Sequence, residues 1–115
     1  MLVKRFGDAQ PYTAPNHFDM RAVRLQGFEA GGPTKSWVGL SHFLPGGGAG
    51  PDSSPLEKVY VVIAGEVTVR AAGQEVKLGP FDSCFIPGDE VREVKNLSNA
   101  VATMLVVMPY PEAAK

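Results

Sequence analysis

Histidine and cysteine are scarce: the 115 residues include two histidines, His17 and His42, and one cysteine, Cys84. A single thiol excludes an internal disulfide and fits a reducing compartment. Surplus charge is also missing. The formal net charge is −1, so no bulk electrostatic argument favours nucleic acid or an anionic membrane as partner. No apolar run approaches membrane-spanning length, and Met1–Phe6 has none of signal-peptide length, so a cytoplasmic location is expected. Asn96-Leu97-Ser98 matches a glycosylation acceptor and is read as accidental in that setting. No stretch carries an amphipathic helical pattern, which points away from bundles and doubly wound sheets.

Turn-formers and apolar residues are plentiful. Thirteen glycines and ten prolines punctuate a chain that is 44% apolar, the pattern of one all-β domain with many turns. Residues 2–6 are expected to form a short edge strand, and Asp8 to Asn16 an extended arm. Phe18 to Gln26 reads as a strand, and Gly27 to Lys35 as a loop. Ser36 to Leu44 is the next strand, stopped by Pro45-Gly46-Gly47-Gly48. Lys58–Ile63 and Glu66–Arg70 are two β-branched strands joined at Ala64-Gly65, a hairpin by this reading. Gln74–Leu78, Ser83–Ile86, Val91–Lys95 and the apolar run Val101–Met108 complete about eight strands. Such spacing predicts a jelly-roll sandwich or closed barrel. The expected division is an arm with the first strand or strands over 1–35, a barrel core over 36–110 and a tail over 111–115.

From Leu44 to Asn96 the chain resembles a small single-domain cupin. The resemblance rests on Pro45-Gly46-Gly47, then Glu57 through Gly65-Glu66, then Val76-Lys77-Leu78-Gly79-Pro80-Phe81-Asp82, and finally Phe85-Ile86-Pro87 through Arg92 to Asn96. It implies an all-β cupin jelly-roll barrel in a single domain. It also implies a homodimer, in which Met1–Phe6 would extend a partner's sheet and cover an edge. Metal-binding cupins offer two histidines and a glutamate from the first motif and a histidine from the second. Here the glutamate position falls on Lys58 and the last histidine position on Arg92, while the paired histidines fall near Asp52 and Ser54. Phe81 and Asp89 stand where the second motif usually has glycine.

The alignment therefore puts ammonium and guanidinium where relatives hold an ion, and cations at ligand positions repel a divalent metal. No metal and no cofactor are expected. A small carboxylate or another anion is the expected partner, with neither nucleic acid nor membrane involved. Lys58 and His42 are the catalytic candidates. A lysine partly removed from water becomes a better base or amine nucleophile. His42 shares a strand face with Val38, Leu40 and Leu44, and is either a satisfied core or rim residue or a proton shuttle. Arg92 and Tyr60 are the substrate-binding candidates. Against these stand blander readings: a solvated Lys58 with Glu57 inward, and a surface ion pair for Arg92 with Asp89, Glu90 or Glu93. His17, in the arm, is either exposed or closes over a pocket. Cys84 reads as an inert thiol.

These residues support a metal-independent enzyme acting on a carboxylate or keto-acid metabolite by isomerisation, lyase chemistry or decarboxylation. A module that binds a small anion without turnover is the alternative. A metal site built from His17, His42 and Asp52 or Glu57 is the third reading.

Overall fold

The element that organises the molecule is a long bent strand, Ser36–Asp52, the third of nine in this computed structural model, which describes residues 1–111. Its first half, through Phe43, lies antiparallel between His17–Gln26 (β2) and Ala102–Pro109 (β9). Its second half, from Gly48, moves to Arg92–Lys95 (β8). Pro45 and the glycines after it were expected to stop this strand (β3), and they bend it instead. Gly46 takes φ 84°. Side-chain carbons at Gly47 and Gly48 would collide with the carbonyl oxygens of Asp19 and Val94. Here glycine serves close backbone approach as well as turning.

The remaining strands are Pro11–Tyr12 (β1), Lys58–Ala64 (β4), Val67–Ala71 (β5), Gln74–Leu78 (β6) and Ser83–Ile86 (β7). They form a nearly closed jelly-roll sheet in the order β6-β5-β8-β3-β9-β4-β7, with β2 on β3 and β1 on β2. The fold is all-β, as the turn pattern predicts. The expected hairpin of β4 and β5 is not there. β4 pairs with β7 and β9, whereas β5 pairs with β6 and β8. Gly65, at φ 76°, carries the chain across beside Val101 and Ala102, with no room for a side chain. The real hairpin is β5–β6, turning at Ala72 and Gly73, both at positive φ.

Residues 2–6 form no strand. Phe6–Asp8 is a 3-10 turn, and the segment pairs with no other. Phe28–Ala30 makes a second such turn within the expected loop. Phe81 and Asp89 adopt φ 67° and 65°, the left-handed conformation that glycine usually supplies. The turns are kept at the cost of strain. No helix among the described residues is long and apolar enough to cross a membrane.

Val62, Val67, Val94, Met104 and Phe43, all under 2% or at 2% exposure, close one end of the barrel as an apolar plug. The other end stays open. Above the plug the inward side chains include Lys58, Tyr60 and Arg92 among apolar neighbours, and there the site lies.

Candidate functional site

A cavity of about 280 Å³ opens into the barrel above that plug. Strand parity decides what it displays, because alternate residues face opposite sides of a sheet. On β4, Lys58, Tyr60 and Val62 are buried, while Glu57 before them is exposed. On β8, Arg92 and Val94 are buried and Glu93 lies outside. Lys58, Tyr60 and Arg92 all line the cavity, and Asp52 at the end of β3 joins them.

Lys58 is 6% exposed and Arg92 9%, yet neither joins any ion pair formed among the described residues. Burying a charge without a counter-ion costs several kcal/mol, so two such cations facing one cavity mark a place for negative charge. Arg92 is fixed from behind. Its Nε donates to the Tyr60 hydroxyl at 2.8 Å and its Nη1 to the Gly50 carbonyl at 2.8 Å. Nη2 is left for a ligand. Tyr60 accepts from Arg92, so its own O–H is free to point into the cavity.

Burial pushes the Tyr60 phenol above its ordinary pKa, with Arg92 pulling the other way. Burial also lowers the Lys58 pKa; the Arg92 charge adds to that, and Asp52 opposes it.

His17 completes the group. The arm Tyr12–Pro15 lies over one side of the cavity and brings the His17 ring to its lining. Nδ1 stands 2.7 Å from the Pro15 carbonyl. A carbonyl only accepts, so Nδ1 carries the proton and Nε2 has the free lone pair. Burial lowers the His17 pKa; Arg92 lowers it further, while the Pro15 contact and Asp52 raise it. Near neutral pH the ring is therefore a base held in one tautomer.

The structure brings Lys58, Tyr60 and Arg92 together and does not bring His42 to them. The inward face of β3 is Trp37, Ser41 and Phe43, and His42 lies on the other face. There it meets Thr103 Oγ1 at 3.1 Å and the edge of Phe6. The aliphatic face that His42 shares with Val38, Leu40 and Leu44 is the outer one, and of its two readings as core or rim residue the core one does not hold. His17 was the weaker candidate by sequence, since an arm gives no parity to read. Cys84 sits on β7 with its pKa raised by burial, the state of an unreactive thiol.

The arm is latched at Gly50. Its N–H donates to the Asn16 carbonyl at 2.9 Å, and Asn16 Nδ2 donates to the Pro51 carbonyl at 3.2 Å. A methyl at Gly50 would stand 2.7 Å from the Asn16 amide. Gly50→Ala is therefore expected to free the arm, with faster hydrogen exchange confined to residues 9–18 and a melting temperature lower by about 4–8 °C. Unchanged exchange in that peptide would exclude the latch.

The donor set does not fit a divalent metal. Among the described residues no three His, Cys, Asp or Glu side chains gather as a metal group. His17 and Asp52, the neutral and anionic donors at the cavity, stand beside two cations.

Comparison with known proteins agrees with this architecture. Residues 39–108 match the family described as cupin domain. A Mycobacterium tuberculosis protein named beta-D-galactosidase is 41% identical over 113 residues, 98% of this chain and 97% of its own. The polyketide cyclase RemF of Streptomyces resistomycificus superposes with a TM-score of 0.83 at 19% identity, over 95% of this chain and 79% of its own. A Thermotoga maritima protein described as a predicted oxalate decarboxylase gives 0.79 at 20% identity, over 96% and 100%. At such identities the two structures speak for the fold alone.

Proposed function

This chain belongs to the cupin family, and from that premise we propose that it is a metal-independent, cytoplasmic cupin enzyme for a small carboxylate or keto acid. The observation that carries this reading is the pair of buried cations, Lys58 and Arg92, facing one cavity and joining no ion pair among the described residues. A substrate carboxylate supplies the missing charge, bound by the Arg92 fork, the Lys58 ammonium and the Tyr60 hydroxyl. His17 Nε2 takes a proton from the carbon beside a carbonyl. The C–H electrons form a carbon–carbon double bond, the carbonyl π pair moves to oxygen, and the same cations stabilise the resulting enolate. Proton return at another carbon gives isomerisation, and loss of a leaving group gives lyase chemistry.

The pH dependence follows from the directions of the shifts. His17 must be neutral to act, and its pKa lies below 6.5. Activity should therefore persist below pH 6.5 and fall only as pH drops through the lowered value. Lys58 must be charged, and its pKa lies below 10.5. Binding should weaken on the alkaline side before a free lysine would titrate, producing a bell.

Proton magnetic resonance in deuterium oxide tests the chemistry directly. With pyruvate, malate and 2-ketoglutarate as probes, the protein should exchange the hydrogen next to the carbonyl or carboxylate of any acid it binds. His17→Gln should remove the exchange while binding persists. Binding with neither exchange nor product would favour an anion-sensing module.

A second reading follows from the relative named beta-D-galactosidase: hydrolysis of a galactoside in the same cavity. Glycosidases generally need two carboxyl groups flanking the bond, and among the described residues this cavity is lined by one, Asp52. Release of nitrophenol from nitrophenyl β-galactoside, abolished by Asp52→Asn, would establish that reading instead.

A further inference from the structure

Below the cation seat the cavity floor presents a hydroxyl that no other described side chain or carbonyl engages. Ser41 is 6% exposed and lines the cavity, and its hydroxyl makes no hydrogen bond among the described residues. It is not sealed away either, because the buried unpartnered atoms are Arg24 Nε and Thr68 Oγ1. Ser41 Oγ thus meets open space in the cavity. A hydroxyl that no protein group engages and that faces the cavity is free to exchange its water for a polar group of a ligand.

Its place relative to the seat follows from strand register. Ser41 pairs with Met104 and Tyr60 with Val106, on opposite sides of β9. Ser41 is therefore one pleat repeat, about 7 Å, deeper than Tyr60. On the other side it faces Ala22, whose small side chain leaves room over the hydroxyl. Apolar Val106 and Val94 line the cavity wall.

We propose that Ser41 is a second substrate subsite, and that the substrate class is a polyhydroxylated carboxylate of monosaccharide size. The carboxylate sits on Lys58 and Arg92, and a distal hydroxyl bonds Ser41. This rests on the anion-seat reading above and adds the other end of the molecule. A cavity of about 280 Å³ has the volume of roughly nine waters, enough for one sugar-acid ring. Proteins that bind such molecules fix them with a few convergent polar groups on apolar walls.

Calorimetric titration with three probes separates the two ends. Galacturonate carries both features, cyclohexanecarboxylate the charge alone, and methyl β-galactoside the hydroxyls alone. The full chain should bind galacturonate tightest. Ser41→Ala, a change of one oxygen, should weaken galacturonate about tenfold and leave cyclohexanecarboxylate unchanged, while Ser41→Thr keeps most of the affinity. Equal effects of Ser41→Ala on galacturonate and cyclohexanecarboxylate, or cyclohexanecarboxylate binding as tightly as galacturonate, overturns the subsite. Loss of galacturonate binding in Ser41→Ala but not in Arg92→Met leaves the subsite standing and overturns the seat. If none of the three binds, both are overturned.

Discussion

Arg92→Met should weaken carboxylate binding at least a hundredfold, while the protein remains folded. Methionine replaces the stem of the side chain and removes the fork. Truncating one partner of a buried charged contact costs about 2–5 kcal/mol, and a hundredfold is about 2.7 kcal/mol. The loss reaches beyond the ligand, because Arg92 acts on three other titrating groups of the site. Its charge lowers the pKa of His17, of Lys58 and of Tyr60. All three should therefore rise in the variant. The acid limb of the pH profile moves to higher pH as His17 becomes easier to protonate, and Lys58 holds its proton further into the alkaline range. A titration of the His17 ring by magnetic resonance reads this without any substrate. Arg92→Lys separates the two roles. It keeps the field but loses the bonds to Tyr60 and Gly50, so His17 should titrate nearly as before while affinity still falls. Unaltered carboxylate affinity in Arg92→Met would remove the basis for an anion seat.

Which parts of this site could be read from the chain depended on whether strand parity was available. Lys58 and Tyr60 alternate with Val59 and Val61, and the motif position of Gly65 fixes which set faces inward. The blander alternatives, a solvated Lys58 and a surface Arg92, do not survive their burial. Ser36–Leu44 carries bulky residues on both faces, so hydrophobicity could not tell inside from outside. The interior took Trp37, Ser41 and Phe43, and His42 went out. His17 enters the cavity by way of a turn, where Asn16 at φ 58° and Asp19 at φ 48° break the alternation. Side-chain period carries no information there. The β4–β5 connection misled for a related reason. Glycine between two strands marks a turn, but whether the strands then pair depends on competing partners, and β9 and β8 are better placed. At Phe81 and Asp89 the backbone kept the conformation that the missing glycines would have supplied, so the departures cost local strain and left the fold intact.

The largest effect on stability is expected at Asn96, the residue that closes the second motif. It is wholly buried, and its amide bonds are all used. Nδ2 donates to the carbonyls of Phe43 at 3.0 Å and Ala100 at 2.7 Å, while Oδ1 accepts from the Ser98 N–H at 3.0 Å and hydroxyl at 2.7 Å. Its main chain pairs with Gly46 and Gly47. Asn96 therefore clamps β3 just where the strand bends, and the bend sets the course of Ala49, Gly50 and Asp52 along the cavity. Asn96→Leu fills the same volume but leaves several buried groups unpartnered, at about 1–3 kcal/mol each. The protein should lose about 3 kcal/mol or more and melt at least about 12 °C lower. Asn96→Asp gives a sharper test, because it trades the two donors for a negative charge beside the Phe43 and Ala100 carbonyls. Burial and those carbonyls raise the folded pKa of the new carboxyl above its unfolded value. Stability is then greatest below the unfolded pKa and is lost as pH rises through the folded one. Chemical denaturation of Asn96→Asp at pH 4 and pH 8 should show the variant closer to the parent at pH 4. A constant deficit across that range would mean the amide acts through its shape alone, and the bend of β3 would need another cause.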